Sequence, residues 1–414
     1  MPPAAVLLVA PCADAAAQEL PAPLPAGGPA LSWTFGDGLR VRVSDMEARI
    51  RTRLHMDLLE SNLEDVGAAL GEDFDDAERL RRARWLTDVR FQEGSPLEDV
   101  RVRGQVDFAS SEIDWKDLFV RHDGAPRFGV LTESNVRAGQ FRQPFGLEAM
   151  SSVSHLAFIE RSTATNAFTP GRGRGAQWAG RTGSWAVQAA AFRVSEGLPF
   201  PDELGTGRSV VARVLHQPRD AGLVQVGGGL ALREPGADGI AFRARPGTRL
   251  APRVVDTGTL EADRFLVGAL EGLYLGDGWA MVAEWFHAAG QGVGPEDASP
   301  RFMGGHVSFQ TFLREGQVTW NKDRGGLRAA KVPDAWTTRE NGPGAVELAA
   351  RLSWVDLDDG PVRGGRSLDL ELGVNWYLQP ATRFMLHWVG ARVDAPGGDE
   401  EHGTAILARL QVQL

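Results

Sequence analysis

Cysteine is all but missing from this chain of 414 residues. The only one, Cys12, lies in a segment expected to be cleaved. The mature chain should therefore carry no disulfide framework and no cysteine-based metal site. Lysine is nearly as scarce: among 44 basic residues only Lys116, Lys322 and Lys331 are lysines, and the rest are arginines. GC-rich codon usage accounts for that bias without any function. The functional alternative is that arginine offers oxyanions a rigid fork and stays charged. No apolar run is long enough to cross a bilayer as a helix. The eight histidines are scattered, with no HExxH pair, and no GxSxG elbow occurs. A zinc-peptidase site and a hydrolase nucleophile are both excluded as readings.

What is present is an alternation. Leu368, Leu370, Leu372, Val374, Trp376 and Leu378 fall on one side of a strand, and Asp369, Glu371, Gly373, Asn375 and Tyr377 on the other. The pattern recurs. Ala48, Ile50, Thr52, Leu54, Met56 and Leu58 oppose Arg49, Arg51, Arg53, His55 and Asp57. Val100, Val102, Val106 and Phe108 oppose Arg101, Arg103, Gln105 and Asp107. Leu348, Leu352 and Trp354 oppose Glu347, Arg351 and Ser353. The last strand sets Ile406, Ala408, Leu410 and Val412 against Arg409, Gln411 and Gln413. Many such strands predict an all-β fold, an antiparallel transmembrane β-barrel with an oily outside and a polar lumen. Arg49, Arg51, Arg53, Arg101, Arg103 and Arg351 are the expected lumen-lining cations. The 50 glycines suit turns and crowded walls, and the 12 tryptophans suit a membrane interface. A net charge of −10 would argue against anions only if charge acted in bulk. In a narrow channel, placement outweighs the sum.

The N-terminus reads as a signal peptide over 1–17, with an apolar core from Ala4 to Ala10 and a small-residue site at Ala15-Ala16-Ala17. Residues 18–34 read as a flexible lead-in, and 35–414 as the barrel. Gln379-Pro380-Ala381 is a tight turn expected on the periplasmic side. Asp356 to Arg366 and Ala395 to Gly403 are expected as longer outer loops. The stretch from 144 to 175 lacks alternation and exceeds a simple hairpin loop, yet carries Phe145, Leu147, Phe158 and Phe168. It is expected to fold into the lumen.

The acidic run Glu72, Asp73, Asp75, Asp76 and Glu78 lacks EF-hand spacing and reads as a solvated loop. Asp356, Asp358 and Asp359 read the same way. Gly171-Arg172-Gly173-Arg174-Gly175 does not follow a strand and open a helix, so it predicts no nucleotide site. It is expected to be the flexible exit of the inward loop, with Arg172 and Arg174 facing the pore. No metal, cofactor or nucleic-acid partner is expected, and no catalytic residues.

Gly139-Gln140-Phe141-Arg142-Gln143-Pro144-Phe145-Gly146-Leu147-Glu148 reads as a GQF(K/R)xPFxLE segment, and in this it resembles the phosphate-selective porin O and P family. Phe158-Ile159-Glu160-Arg161-Ser162 and Phe168-Thr169-Pro170-Gly171-Arg172 follow in the family's order. Arg81-Arg82-Ala83-Arg84, Asp37-Gly38-Leu39-Arg40-Val41, Glu347-Leu348-Ala349-Ala350-Arg351 and Gly373-Val374-Asn375-Trp376-Tyr377-Leu378 resemble further family signatures. The resemblance implies sixteen strands, a third extracellular loop folded inward, a homotrimer in a Gram-negative outer membrane, and passage of phosphate or other small anions. Lipid and lipopolysaccharide are the implied surroundings. It puts Arg81 and Arg82 where the family has constriction arginines, Arg142 at a basic position before the loop, and Asp107 near a constriction acid. Arg161, Arg172 and Arg174 complete the expected anion-binding set.

A phosphate leaving water needs its charge and oxygens satisfied, which arginine does by charge-assisted, often bidentate bonds. None may hold it too tightly, or conduction stops. The expected function is therefore an anion channel. A general small-solute porin and a plugged, non-conducting barrel are the alternatives. A different role for any single arginine is to hold the inward loop by pairing with a carboxylate.

Overall fold

The computed structural model describes residues 6–9, 29–62, 77–124, 132–194, 206–218, 223–251, 253–314, 316–333, 335–336, 342–394 and 400–414. The signal cleavage site, Cys12, the start of the lead-in and the acidic residues 72–76 lie outside the described residues. The lead-in ends sooner than expected. Ala30–Thr34 is a strand, paired parallel with Val6–Val9 and antiparallel with Gly38–Val43.

The main sheet has nineteen strands; three are these N-terminal ones and the other sixteen close the barrel. In chain order the barrel strands are β1 Met46–Asn62, β2 Ala77–Phe91, β3 Val100–Asp107, β4 Asp114–Asp123, β5 Glu133–Arg142, β6 Arg172–Thr182, β7 Trp185–Val194 and β8 Gly207–His216. They continue as β9 Leu223–Glu234, β10 Arg264–Leu275, β11 Trp279–Gln291, β12 Arg301–Phe312, β13 Ala345–Asp359, β14 Val362–Gln379, β15 Thr382–Asp394 and β16 Glu400–Gln413. Every neighbouring pair is antiparallel, and β16 closes on β1, with Thr404 opposite Asn62 and Gln413 opposite Arg53. Closure satisfies every ladder without leaving an edge in lipid. Gly38–Val43 continues along β1 beyond the point where β16 stops.

The alternation read from the sequence is the alternation observed. Leu368, Leu370, Leu372, Val374 and Trp376 are exposed on the outer face, whereas Asp369, Glu371, Asn375 and Tyr377 are buried inside. On β1 the exposed Leu54, Met56 and Leu58 oppose the buried Arg53, His55 and Asp57.

The turns obey the expected sidedness less well. Gln379 pairs with Thr382 across a tight turn at the end that carries the C-terminus. Residues 356–366 are not a long loop. Asp356 pairs with Arg366 and Asp359 with Val362, so β13 and β14 extend to a turn at 360–361 on the opposite end. Glu400 to Gly403 likewise belong to β16, and 395–399 lie outside the described residues.

Three inserts fill the lumen. The first, 143–171, is the third connection at the end opposite the C-terminus. It carries α1 (Leu147–Met150) and α2 (Thr163–Phe168). Phe145 and Phe168 pack on the inner Phe286 with ring centroids 6.3 and 5.9 Å away. The second insert, 235–263, enters from the same end and lays Phe242 against Phe168, Phe265 and Phe302. The third, 313–344, enters from the C-terminal end as a hairpin, Gln317–Asn321 against Gly326–Lys331. Leu327 N donates to Ser151 Oγ at 2.9 Å, so inserts from opposite ends meet inside the barrel.

Candidate functional site

Strict alternation would send Arg81 and Arg82 to opposite faces. The register slips instead: His55 pairs with Arg82 and Met56 with Leu80, leaving Arg81 as the extra residue of a bulge. A bulge re-aims side chains, and here it turns both arginines onto one carboxylate. Arg82 Nη2 donates to Glu160 Oε1 and Oε2 at 2.8 and 2.9 Å, and Arg81 Nε donates to Oε1 at 2.9 Å. Arg409 Nη2 reaches the same Oε1 at 3.0 Å while binding Asp57 twice at 2.6 Å. Burial pushes the Glu160 carboxyl up, but Arg82, Arg81 and Arg409 hold it well below the usual carboxylate range.

A second clasp lies at α1. Glu284 Oε1 accepts from Leu147 N at 2.6 Å and Oε2 from Glu148 N at 2.8 Å. The wall carboxylate thus caps the open amides of a helix start. Gly146 permits this approach: its φ is +72°, and a Cβ there would lie 2.9 Å from Glu284 Oε1. Glu148 takes Arg351 Nη1 on Oε1 at 2.8 Å and Ser162 N on Oε2 at 2.9 Å. Burial raises its carboxyl, but His306, Arg351 and these bonds bring it down to about 2. Glu148, Glu284 and His306 come within metal-ligand reach of one another. Each of the four carboxylate oxygens already accepts an N–H, so the trio holds the loop and does not suit a cation.

A different arrangement lines β1 to β6. Arg51 and Arg103 share Asp88, the latter at 2.5 Å. Arg84 Nε donates to Asp107 Oδ2 at 2.7 Å, Arg172 Nε to Asp117 Oδ1 at 2.9 Å, and Arg101 pairs with Asp123 at 2.8 Å. Arg49 pairs with Asp37. Among the described residues no carboxylate touches Arg53 or Arg142. Arg53 has Gln413 at 3.4 Å, and Arg142 lies within Coulombic reach of Arg161, Arg172, Asp117 and Arg84. Exposure separates the two sets. The side chains of Arg49, Arg103 and Arg172 are 22, 24 and 23 % exposed, against 2, 3 and 0 % for Arg82, Arg351 and Arg409. Water therefore reaches Arg49, Arg103 and Arg172 of a basic lane along β1–β6, in which Arg53 is buried, and is excluded from the anchors.

The expected site residues divide accordingly. Arg49, Arg51, Arg53, Arg101, Arg103, Arg142 and Arg172 stand on the lane, and Asp107 orients an arginine, namely Arg84. Arg81 and Arg82 anchor the loop. Arg351 faces inward but is sealed between Glu148, Glu371 and the Phe158 ring, 4.2 Å from its guanidinium, so it lines no water. Arg161 is not an anion ligand: it donates to the carbonyls of Glu148, Ala149 and Ser151 at 3.1, 3.2 and 2.8 Å, closing the end of α1. Arg172 and Arg174 are not in a flexible exit but begin β6. Gly175 pairs with the inward Phe192, so register puts Arg174, paired with Arg193, on the outer side.

Sequence reasoning missed Asp88, Glu160, Glu148, Arg409 and Arg137. Arg137 is held by Gln177 Oε1 at 2.5 Å and stacks on Phe141 at 4.0 Å. It also missed the 313–344 hairpin. Its tip is gripped by Arg213, which donates to Arg324 O and Gly325 O at 2.6 and 2.9 Å. Arg324 is enclosed by the barrel yet wetted, facing the lane near Arg103 and Asp117; burial, then Arg103, lowers its guanidinium to about 10. Glu160 stood inside a quoted motif, and its flanking Arg161 was the one signal that an ion pair was near.

The family model for phosphate-selective porin O and P matches residues 102–414. The chain belongs to that family. A protein of Caulobacter vibrioides described as uncharacterized is 24% identical over 301 residues, 69% of this chain. The match spans 57% of that relative's length. Among solved structures, an anion-selective porin from Comamonas acidovorans superposes with a TM-score of 0.55 at 8% identity, covering 89% of this chain and all of that one. In-vitro folded OmpT of Vibrio cholerae, in its trimer form, gives 0.52 at 12% identity, with 89 and 100% covered. These likenesses show the porin fold, and with the family they put this porin in a Gram-negative outer membrane.

Proposed function

We propose that this porin is a passive channel for small anions, phosphate among them, and not an enzyme. The supporting observation is the water-accessible lane. Arg49, Arg51, Arg53, Arg84, Arg101, Arg103, Arg142, Arg172 and Arg324 outnumber Asp37, Asp88, Asp107, Asp117 and Asp123 along it. Focused in a low-dielectric channel, that excess attracts anions although the whole chain is acidic. Asp88 and Asp117 keep several guanidiniums half-neutralised, which suits brief contacts over tight binding. The C-terminal end faces the periplasm, and lipid and lipopolysaccharide surround the wall. A homotrimer follows the family and the trimeric neighbour.

Three lumenal inserts favour a second reading, a plugged and non-conducting barrel. One recording separates the two. In a planar bilayer under a potassium chloride gradient, the channel should conduct, with a reversal potential displaced toward that of chloride. No conductance, or displacement toward potassium, would sink the anion reading.

A further inference from the structure

Toward the C-terminal end of the lumen, two buried guanidiniums and an imidazole come together. Arg53 on β1 and Arg383 on β15 stand on either side of β16, with Gln413 opposite Arg53 and Gln411 opposite Arg383. Arg383 donates to Tyr377 Oη and Gln411 Oε1 at 2.8 and 3.2 Å, and Arg53 reaches Gln413 Oε1 at 3.4 Å. Among the described residues, neither has a carboxylate as a hydrogen-bond partner. Glu347 stands behind Tyr377 Oη, which donates to it at 2.9 Å, and Asp117, within Coulombic reach of Arg53, is held by Arg172. The first insert comes down on this floor, where Gln411 Nε2 donates to Ser154 O at 3.1 Å. The next residue, His155, lies within Coulombic reach of Arg53, Arg383 and Arg324 of the hairpin tip.

Three buried polar atoms here have no hydrogen-bond partner: Arg53 Nε, Arg383 Nε and His155 Nδ1. Two are donors. The third is an acceptor, because the imidazole is neutral: burial first, then Arg53 and Arg383, lower it to about 3. Of the groups acting on the ring, only the Leu327 backbone favours an N–H, so the proton is assigned to Nε2 and the lone pair to Nδ1. Arg53 and Arg383 are 6 and 1 % exposed, and buried polar groups are ordinarily satisfied. Two donors beside one acceptor specify what satisfies them. It is an oxyanion that turns bare oxygens to the guanidiniums and an O–H to the imidazole.

We propose that Arg53, Arg383 and His155, with Arg324 nearby, form a binding site for hydrogen phosphate, and that His155 is the residue that separates it from sulfate. Sulfate matches hydrogen phosphate in shape and charge but has no proton to give. Its oxygen would meet the Nδ1 lone pair, acceptor against acceptor, and a site built around a hydrogen bond rejects the analogue that cannot make it. Arginines alone are donors only and take either anion. The site deepens the anion-channel reading, on which it rests for the route by which phosphate arrives.

The test is equilibrium binding to the full-length porin in detergent at pH 8.5, where inorganic phosphate and sulfate are both dianions. Calorimetric titration should give a preference for phosphate of roughly tenfold or more. His155→Phe keeps a ring but no acceptor, and should bring the ratio near one by weakening phosphate. His155→Gln, whose Oε1 accepts, should restore part of it. Arg53→Gln should weaken both anions by similar factors. Thermal unfolding identifies a variant that fails to fold, and His155→Leu, also without an acceptor, then takes the place of His155→Phe. Equal binding of the two anions by the wild type overturns the proposal, and so does an undiminished preference in the variant without an acceptor. A porin that shows the preference yet passes no current sinks the channel reading and leaves the site. A conducting porin without the preference does the reverse.

Discussion

The two sides of the lumen use the same residue types for opposite ends. On the wall from β8 to β16, ions are locked in dry partnerships: Arg213 with Glu271, Arg351 with Glu148 and Glu371, Arg409 with Asp57 and Glu160. On the arc from β1 to β6 most pairs are wetted, the dry Arg82–Glu160 pair of β2 excepted, and among the described residues no carboxylate touches Arg53 or Arg142. A guanidinium is an anchor where its carboxylate is buried with it, and a candidate ligand where water competes. The residue type alone does not tell them apart; exposure does.

The largest effect should come from breaking an anchor. Glu160→Ala would leave Arg81, Arg82 and Arg409 without their shared partner, and breaking such a buried pair costs about 3–5 kcal/mol. The folded barrel should unfold at clearly lower temperature, and its conductance should become noisy as the inward loop loosens. Arg51→Gln on the lane should cost about 1 kcal/mol or less, as for a water-screened pair. Thermal unfolding in detergent measures both, and equal losses would erase the distinction between the walls.

Acid should act on the anchors next. Glu148 sits near 2, below its ordinary value, so its contribution is complete at neutral pH and fades as the pH falls through about 4 toward 2. His155 is held neutral chiefly by burial and then by Arg53 and Arg383, down to about 3, so its contribution is full above about 6.5 and declines below. Both signs agree. Loop release, read as a change in single-channel conductance, is expected between pH 6 and 3, and constant conductance over that window would contradict it.

Much of this was legible in the sequence, for a physical reason. Inward and outward residues alternate with period two, so one pass along Leu368–Leu378 or Ala48–Leu58 recovers the wall and its facing. What alternation cannot reach is anything set by a slip in it or by a distant partner. Arg81 and Arg82 share a face only because of a bulge. Arg172, the first residue of β6, shares Arg174's parity, yet it reaches the inner Asp117 at 2.9 Å. Arg161 looks like a ligand until α1 presents carbonyls to it. The carboxylates that decide each arginine's role lie far along the chain, as Glu160 lies 78 residues from Arg82. The 313–344 hairpin carries no alternation that distinguishes a lumenal plug from an ordinary loop.

The smallest effect sharpens the comparison from the lane's side. Asp88 is shared by Arg51 and Arg103, its charge partly cancelling theirs. Asp88→Asn removes one negative charge from a wetted wall while keeping the side chain's shape. An anchor acid treated this way would cost stability, but Asp88 is 27 % exposed, so the two released guanidiniums remain hydrated and stability should hardly move. The anion preference should rise instead, with the reversal potential in a chloride gradient moving further toward chloride. Phosphate should also suppress the chloride current at lower concentration, because an anion now meets two unopposed forks. A variant with weakened stability and unchanged selectivity would place Asp88 among the anchors and dissolve the boundary between the two walls.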